Sequence, residues 1–360
     1  MTSQALAHDF FVTEGGAEQC AIELANLMPA APIYTSFFDA ARFGDRIDPA
    51  RIHPWPIQRI LGPSGRFRSL FPLYAAYFGS LRVDADLLVS SSIAFTKAIR
   101  TRREAIHVSY VYTPMRYAWD LETYLSGSSY SFPVRAASRT IRPAMRAWDR
   151  RTASRPDHVI AISHTVRRRI EAHWRREVDD VIYPPVRLEE IELGTQDDGY
   201  YLVAARLLAY RRVDLAVQAF SRLGRELVVI GDGPERTRLE ALAGPSVRFL
   251  GHVPRVELLR HFGRCHAYVL PGVEDFGIAP VEAMAAGKPV IAFRGGGATE
   301  TVEEGETGVF FDEQTPESLA AAVHDLDSLR FEPGYLRSRA ERFAAESFRE
   351  RWRRLLAEVS

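Results

Sequence analysis

The chain has 360 residues, 46% hydrophobic and 26% charged, which is the balance of a folded globular protein and enough length for two domains rather than a disordered or fibrous chain. Its 46 basic residues cancel its 46 acidic ones, which argues against a protein drawn to nucleic acid by net charge. Cys20 and Cys265 are the only cysteines, so neither a disulfide framework nor a thiolate zinc site can be built.

The first residues lack a basic region followed by an apolar core, so no signal peptide is expected. The longest uncharged apolar stretch, Ser69 to Leu81, is shorter than the roughly 20 residues of a membrane-spanning helix. Both point to a cytoplasmic chain. Short apolar runs then alternate with segments of helical spacing. The first half places strands at Gln4 to His8, Ile33 to Thr35, Leu87 to Ser90, Ile106 to Tyr112 and His158 to Ile162. Ala17, Cys20, Leu24, Leu27 and Met28 keep the spacing of a buried helix stripe. The second half places strands at Tyr200 to Ala204, Glu226 to Ile230, Val247 to Leu250, Ala267 to Leu270, Val290 to Phe293 and Val309 to Phe311. This is an α/β pattern, and two Rossmann-like doubly wound domains are its natural packing.

Tyr183-Pro184-Pro185 and the polar residues after them predict a linker at about 183–199, dividing an N-terminal domain of 1–182 from a C-terminal domain of 183–340. The segment 341–360 reads as an amphipathic helix through Phe343, Phe348, Trp352, Leu355 and Leu356, expected to pack back on the N-terminal domain. Cut at 182, the halves carry +6 and −6. Residues 135–176 hold twelve arginines against Asp149, Asp157 and Glu171. They form either a solvated helix face or, with Phe67, Phe71, Tyr74, Tyr77 and Phe78, a face for anionic lipid on the inner side of the plasma membrane.

The densest chemical signal runs from Pro271 to Met284, after a strand and into a helix. Such a junction aims backbone N–H groups at the carboxyl end of a parallel sheet, where a phosphate can sit. Glu274 falls in the loop and Glu282 in what should be the first helical turn. Two carboxylates beside an anion site are better used to accept from vicinal hydroxyls, as on ribose or a hexose. Asp84-Ala85-Asp86 and Asp325-Leu326-Asp327 match a metal-holding pattern in letters, but the first precedes its strand and the second lies in a helix. No metal is expected. His107, on the strand face opposite Tyr112, reads as a core histidine.

The stretch from Glu274 to Glu282 is similar to the E-x7-E signature of retaining glycosyltransferases of family 4, which have the GT-B fold with two such domains facing a central cleft. The resemblance covers nearly the whole chain. His8-Asp9 with Gly15-Gly16-Ala17-Glu18 resembles the family's first strand and glycine loop, and Ala205 to Asp214 its donor-phosphate segment. Gly231 to Glu235 and Phe249 to Val253 resemble the next two strand ends, and Tyr112 to Asp120 a WbaZ-like branch containing O-antigen mannosyltransferases.

The resemblance implies that Arg206 and Arg211 bind the nucleotide diphosphate, with Arg211 standing where most members have lysine. It implies that Glu282 holds the ribose, and that Glu274 with the backbone of Phe276 and Gly277 holds the donor sugar. Gly15, Gly16 and Val253 would line the donor site, while His8, Asp9, Tyr112 and Arg116 would lie toward the acceptor. Tyr112 replaces a histidine common in relatives, and a phenol carries no proton exchangeable near neutral pH. The function implied is metal-independent, retaining transfer of a hexose, as from GDP-mannose, to a lipid-linked or saccharide acceptor. Its rivals are a GT-B sugar phosphorylase or epimerase and a non-catalytic nucleotide-sugar-binding scaffold.

Overall fold

The computed structural model describes residues 3–63, 70–120 and 132–359, with the side chains of 71–72 and 132–138 outside that description. The chain divides into two compact units. Met1–Asp120, Ser138–Pro185 and Ala345–Ser360 belong to the first, and Val186–Ala344 to the second.

The first unit holds strands β1 (Gln4–His8), β2 (Ile33–Thr35), β3 (Ile52–Pro54), β4 (Leu87–Ser92), β5 (Ile106–Val111), β6 (His158–Ala161) and β7 (Asp180–Val181) in one parallel sheet ordered β3-β2-β1-β4-β5-β6-β7. The second holds β8 (Tyr201–Ala204), β9 (Leu227–Ile230), β10 (Val247–Gly251), β11 (Ala267–Leu270), β12 (Val290–Phe293) and β13 (Gly308–Phe311) in a parallel sheet ordered β10-β9-β8-β11-β12-β13. The order reverses between β1 and β4 in one sheet and between β8 and β11 in the other, so each has a crevice where ligands of such folds bind. The central strands are buried on both faces, as their unbroken apolar runs require.

Six helices carry or flank the candidate site residues: α1 (Gly16–Leu27), α2 (Phe132–Thr152), α3 (His164–Trp174), α4 (Val213–Leu223), α5 (Ile278–Ala285) and α6 (Ala345–Val359). The last belongs to the first unit, where Phe348 and Trp352 meet the Tyr110 ring with centroids 5.9 and 5.4 Å away. Arg349 on α6 donates to Glu23 on α1 at 2.8 Å.

Three expectations change on contact with the structure. The stretch 186–199 is not a free linker: Leu188 and Ile191 are buried, and Arg337 and Lys288 donate to the carbonyls of Ile191 and Gln196 at 2.7 and 2.6 Å. Its apolar residues anchor it to the second unit. The aromatic stretch is core rather than membrane-facing. Tyr74 and Phe78 are fully buried, and Tyr77 stacks on Trp55 at 4.7 Å; Phe67 and the side chain of Phe71 lie outside the described residues. Nor are the arginines of 135–176 simply a solvated face. Arg142 and Arg146 donate to the Ala118 carbonyl at 3.1 and 2.8 Å, Arg150 to that of His173, Arg155 to those of Gly79 and Ala98, and Arg176 to those of Ala153 and Asp157. Among the described residues, no helix is long and apolar enough to cross a membrane.

Asp149, one of the three acids in that arginine-rich stretch, is wholly buried. Lys97 Nζ lies 2.7 Å from its Oδ1, and the indole N–H groups of Trp119 and Trp174 donate to its Oδ2 at 2.7 and 2.6 Å. The ammonium also sits 5.2 Å from the Trp148 and Trp174 ring centroids, a cation–π cage. Removing one partner of a buried pair strands the other charge, at a cost of about 3–5 kcal/mol. Lys97→Met is therefore expected to destabilise the first unit by that amount. All five tryptophans fall in the first unit, so urea unfolding followed by tryptophan fluorescence reads its transition directly.

Candidate active site

In the second unit the segments leaving β8 and β11 meet at the crevice where the strand order reverses. A Cβ on Gly272 would lie 2.6 Å from the Arg211 carbonyl oxygen, so only glycine lets these two stretches of backbone touch. Gly277 adopts φ +94°, a left-handed conformation glycine takes readily, and starts α5. The loop between them is pinned to the segment after β12 by the Gly297 N–H donating to the Glu274 carbonyl at 2.8 Å. The Phe276 side chain turns into the core against Phe343, which leaves only its backbone for a ligand.

Arg211 forms an ion pair with Glu274 and lies over the Tyr210 ring, its guanidinium carbon 5.1 Å from the centroid. Two groups given separate ligand roles by resemblance thus neutralise each other across the crevice. Arg206 is exposed on the same segment. Arg212 holds φ +51°, unusual for a residue with a side chain, and donates to Asp214 and Gln314 at 3.2 and 3.3 Å. It lies within the segment Ala205 to Asp214, where the resemblance gives a role only to Arg206 and Arg211.

Because α5 begins at Ile278, Glu282 lies in the second turn and not the first, which removes the helix dipole as its main stabiliser. Its side chain is 8% exposed, and Arg255 Nη1 lies 2.6 Å from its Oε1. Burial pushes the Glu282 carboxyl above the ordinary range, Arg255 opposes that shift, and the charge of Glu190 adds to it. Arg255 was missed by the sequence reading, since nothing in its spacing ties it to Glu282. Val253 stands two residues before Arg255, half-buried after β10.

In the first unit the predicted residues gather at the β1–β4 crevice, but three of them, His8, Asp9 and Tyr112, are buried. Asp9 is fully buried, and its carboxylate accepts from the N–H groups of Ile93, Ala94 and Phe95 at 2.6, 3.2 and 2.7 Å. Burial raises its pKa and those three donors counter the rise. It clamps the loop after β4, with its carboxylate turned away from solvent. Tyr112 donates to the Ala17 carbonyl in the first turn of α1 at 2.9 Å, and burial lifts its pKa well above the ordinary value. A carbonyl can only accept, so the bond from Ser91 Oγ to the phenol, 2.8 Å, must run from serine to tyrosine. His8 Nδ1, 3.0 Å from Ser91 Oγ, then carries the proton. Burial lowers the His8 pKa to about 3, so the ring is neutral. The same holds for His107, whose Nε2 meets Ser90 Oγ at 2.8 Å in the core.

Gly15 is extended at φ −166° and Gly16 opens α1. Thr113, Pro114, Arg116, Trp119, Asp120, Arg169 and His173 line a cavity of about 270 Å³ at the end of β5. The Asp-x-Asp pairs are occupied elsewhere: Asp84 and Asp86 pair with Arg102, and Asp327 with Arg225. Among the described residues, no three His, Cys, Asp or Glu side chains are grouped to share a metal ion.

Residues 14–190 match the family described as Glycosyltransferase Family 4, and residues 188–344 that described as Glycosyl transferases group 1. The chain belongs to glycosyltransferase family 4. A GDP-mannose-dependent alpha-mannosyltransferase of Mycolicibacterium smegmatis is 31% identical to this chain over 217 residues, 57% of this chain and 56% of its own length. A GDP-mannose-dependent alpha-(1-6)-phosphatidylinositol monomannoside mannosyltransferase of Mycobacterium tuberculosis is 36% identical over 138 residues, 35% of this chain and 34% of its own. The matches thus span a third to about half the length of these curated relatives. Anabaena HepE, solved with UDP and glucose, superposes with a TM-score of 0.71 over 99% of this chain and 100% of its own at 17% identity, which shows the shared GT-B fold.

Since the Tyr112 phenol joins α1 to β4 inside the first unit, Tyr112→Phe is expected to cost about 1–3 kcal/mol of stability, the penalty for unpairing buried groups. The KM for acceptor in initial-rate assays should be unchanged, whereas a phenol facing the acceptor would raise that KM and spare stability.

Proposed function

We propose that the protein transfers a hexose, with mannose from GDP-mannose as the leading donor, to a lipid-linked or saccharide acceptor with retention of configuration and without a metal ion. The observation that carries this reading is the convergence of Arg211, Glu274 and the start of α5 at the crevice of the second sheet. Similarity to GDP-mannose-dependent enzymes supports the donor. In this reading the diphosphate sits on Arg206, Arg211 and the N–H groups at the start of α5, with Glu282 on the ribose and Glu274 on the sugar. The acceptor binds the first unit, where the guanidinium groups of Arg116 and Arg169 outnumber the Asp120 carboxylate around the cavity and suit an anionic group.

The acceptor hydroxyl oxygen bonds to the anomeric carbon on the face that the diphosphate leaves. The bond from that carbon to the phosphate oxygen breaks, and the acceptor proton passes to the departing diphosphate. Arg206 and Arg211 stabilise the charge that develops there. A thermal-shift screen of GDP-mannose, GDP-fucose, UDP-glucose, UDP-galactose and UDP-N-acetylglucosamine tests the donor, since a ligand of the folded state raises its stability. Turnover is expected to survive EDTA; loss in chelator with recovery in Mg²⁺ or Mn²⁺ would refute the metal-free scheme.

The ion pair sharpens the roles of the two glutamates. Glu274→Gln releases Arg211 from its carboxylate, so bare nucleoside diphosphate should bind as well as before or tighter while transfer collapses. Glu282→Gln should weaken donor and nucleotide alike by roughly 1.5–3 kcal/mol, the worth of hydrogen bonds to a charged group. Calorimetry beside initial rates decides the matter, and a Glu274→Gln protein that binds nucleotide as poorly as Glu282→Gln would contradict this division.

A further inference from the structure

Glu282 is a carboxylate that neither solvent nor the helix start accounts for. It lies one turn into α5, with 8% of its side chain exposed. A carboxylate buried without a counter-charge drifts toward the neutral acid, which accepts fewer hydrogen bonds than the anion. The counter-charge comes from another element. Arg255, the first residue of the helix Arg255–Arg264, places Nη1 2.6 Å from Glu282 Oε1, and its own Nε is held 3.3 Å from Glu190 Oε2. We propose that Arg255 is a positioning residue of the donor site, which orients the Glu282 carboxylate and supplies the charge its burial demands so that Glu282 can accept from the two ribose hydroxyls of a nucleoside diphosphate. This rests on the reading that Glu282 holds the ribose.

A carboxylate offers about four lone-pair sites, so one arginine leaves capacity for a diol. The groups facing Glu282 are Arg255, Glu190 on the turn Leu188–Glu190, and Tyr268 on β11. Arg337, from the helix Pro333–Ala340, lies at the other end of α5 on the Ala285 carbonyl. Arg255 is thus the cation in direct contact. Its removal lets burial and Glu190 act unopposed, so the carboxyl takes up a proton at a higher pH than in the native protein. Ribose recognition is then lost as pH falls through that raised value and returns above it.

The test is calorimetric titration of the full chain with GDP and UDP and with their 2′,3′-dideoxy forms, from about pH 6 to about pH 9. Wild type, Arg255→Lys, Arg255→Ala and Glu282→Gln are compared. Wild type should prefer the ribose form roughly tenfold or more, in line with charge-assisted hydrogen bonds. In Arg255→Ala that preference should shrink toward one at the acidic end and recover at the alkaline end, while Arg255→Lys keeps most of it. Glu282→Gln should show little preference at any pH. An Arg255→Ala protein that keeps the preference throughout, or loses affinity for both forms equally at every pH, overturns the role of Arg255 and leaves the ribose reading intact. Wild type binding both forms equally overturns the ribose reading and this proposal with it.

Discussion

Asp149 gathers four pieces of the first unit onto two oxygen atoms. Lys97 comes from the loop after β4, Trp119 from the segment after β5, Trp174 from the end of α3, and Asp149 itself from α2. A buried carboxylate tolerates this setting because a full counter-charge and two directed N–H groups replace its water. Lys97 also donates to the Ala94 carbonyl, and Asp9 takes the N–H groups of Ile93, Ala94 and Phe95. The loop at the crevice of the first sheet is therefore held through its donors by one carboxylate and through its acceptors by one ammonium. Its shape is set by charges inside the protein.

The strands were legible because parallel strands buried on both faces need unbroken apolar runs, and these stand out between polar helices. Gln4–His8, Ile33–Thr35, Ala267–Leu270 and Val290–Phe293 match the expected bounds, and the other expected strands differ by one or two residues. Ile52–Pro54 and Asp180–Val181 escaped notice because short edge strands at the sheet's two ends carry little apolar pattern. The segment from Glu274 to Glu282 was legible because both glutamates lie on one local turn into a helix. Arg255 was not, since its partner is brought to it by the packing of two helices. Asp149 was hidden in the opposite way: twelve arginines around it suggested a wet surface, and only the fold shows its carboxylate turned inward.

Arginine explains much of that difference. Its fork of donors on a long stem can lie along a surface and still reach carbonyls beneath it, so a sequence rich in arginine need not present free charge. Arg142 and Arg146 converge on one carbonyl at Ala118, and the guanidinium groups of Arg146 and Arg150 cover the Trp119 ring. In the second unit the same residue type meets carboxylates instead, at Glu274 and Glu282. Arg211 there meets Glu274 and Arg255 meets both Glu190 and Glu282, so on the proposed function an incoming diphosphate would compete with Glu274 for Arg211. Such a competition would favour ligands bringing more than one negative charge.

The return of α6 to the first unit bears on how the chain folds as it is made. Tyr110 on β5 is walled by Phe348 and Trp352, which emerge from the ribosome only after every strand of the second sheet. At the usual pace of about 5–20 residues per second, the first unit waits on the order of tens of seconds with that wall missing. The second unit, encoded later, has its full complement of strands sooner. Newly made chains should therefore assemble the second sheet before the apolar seam around Tyr110 is covered.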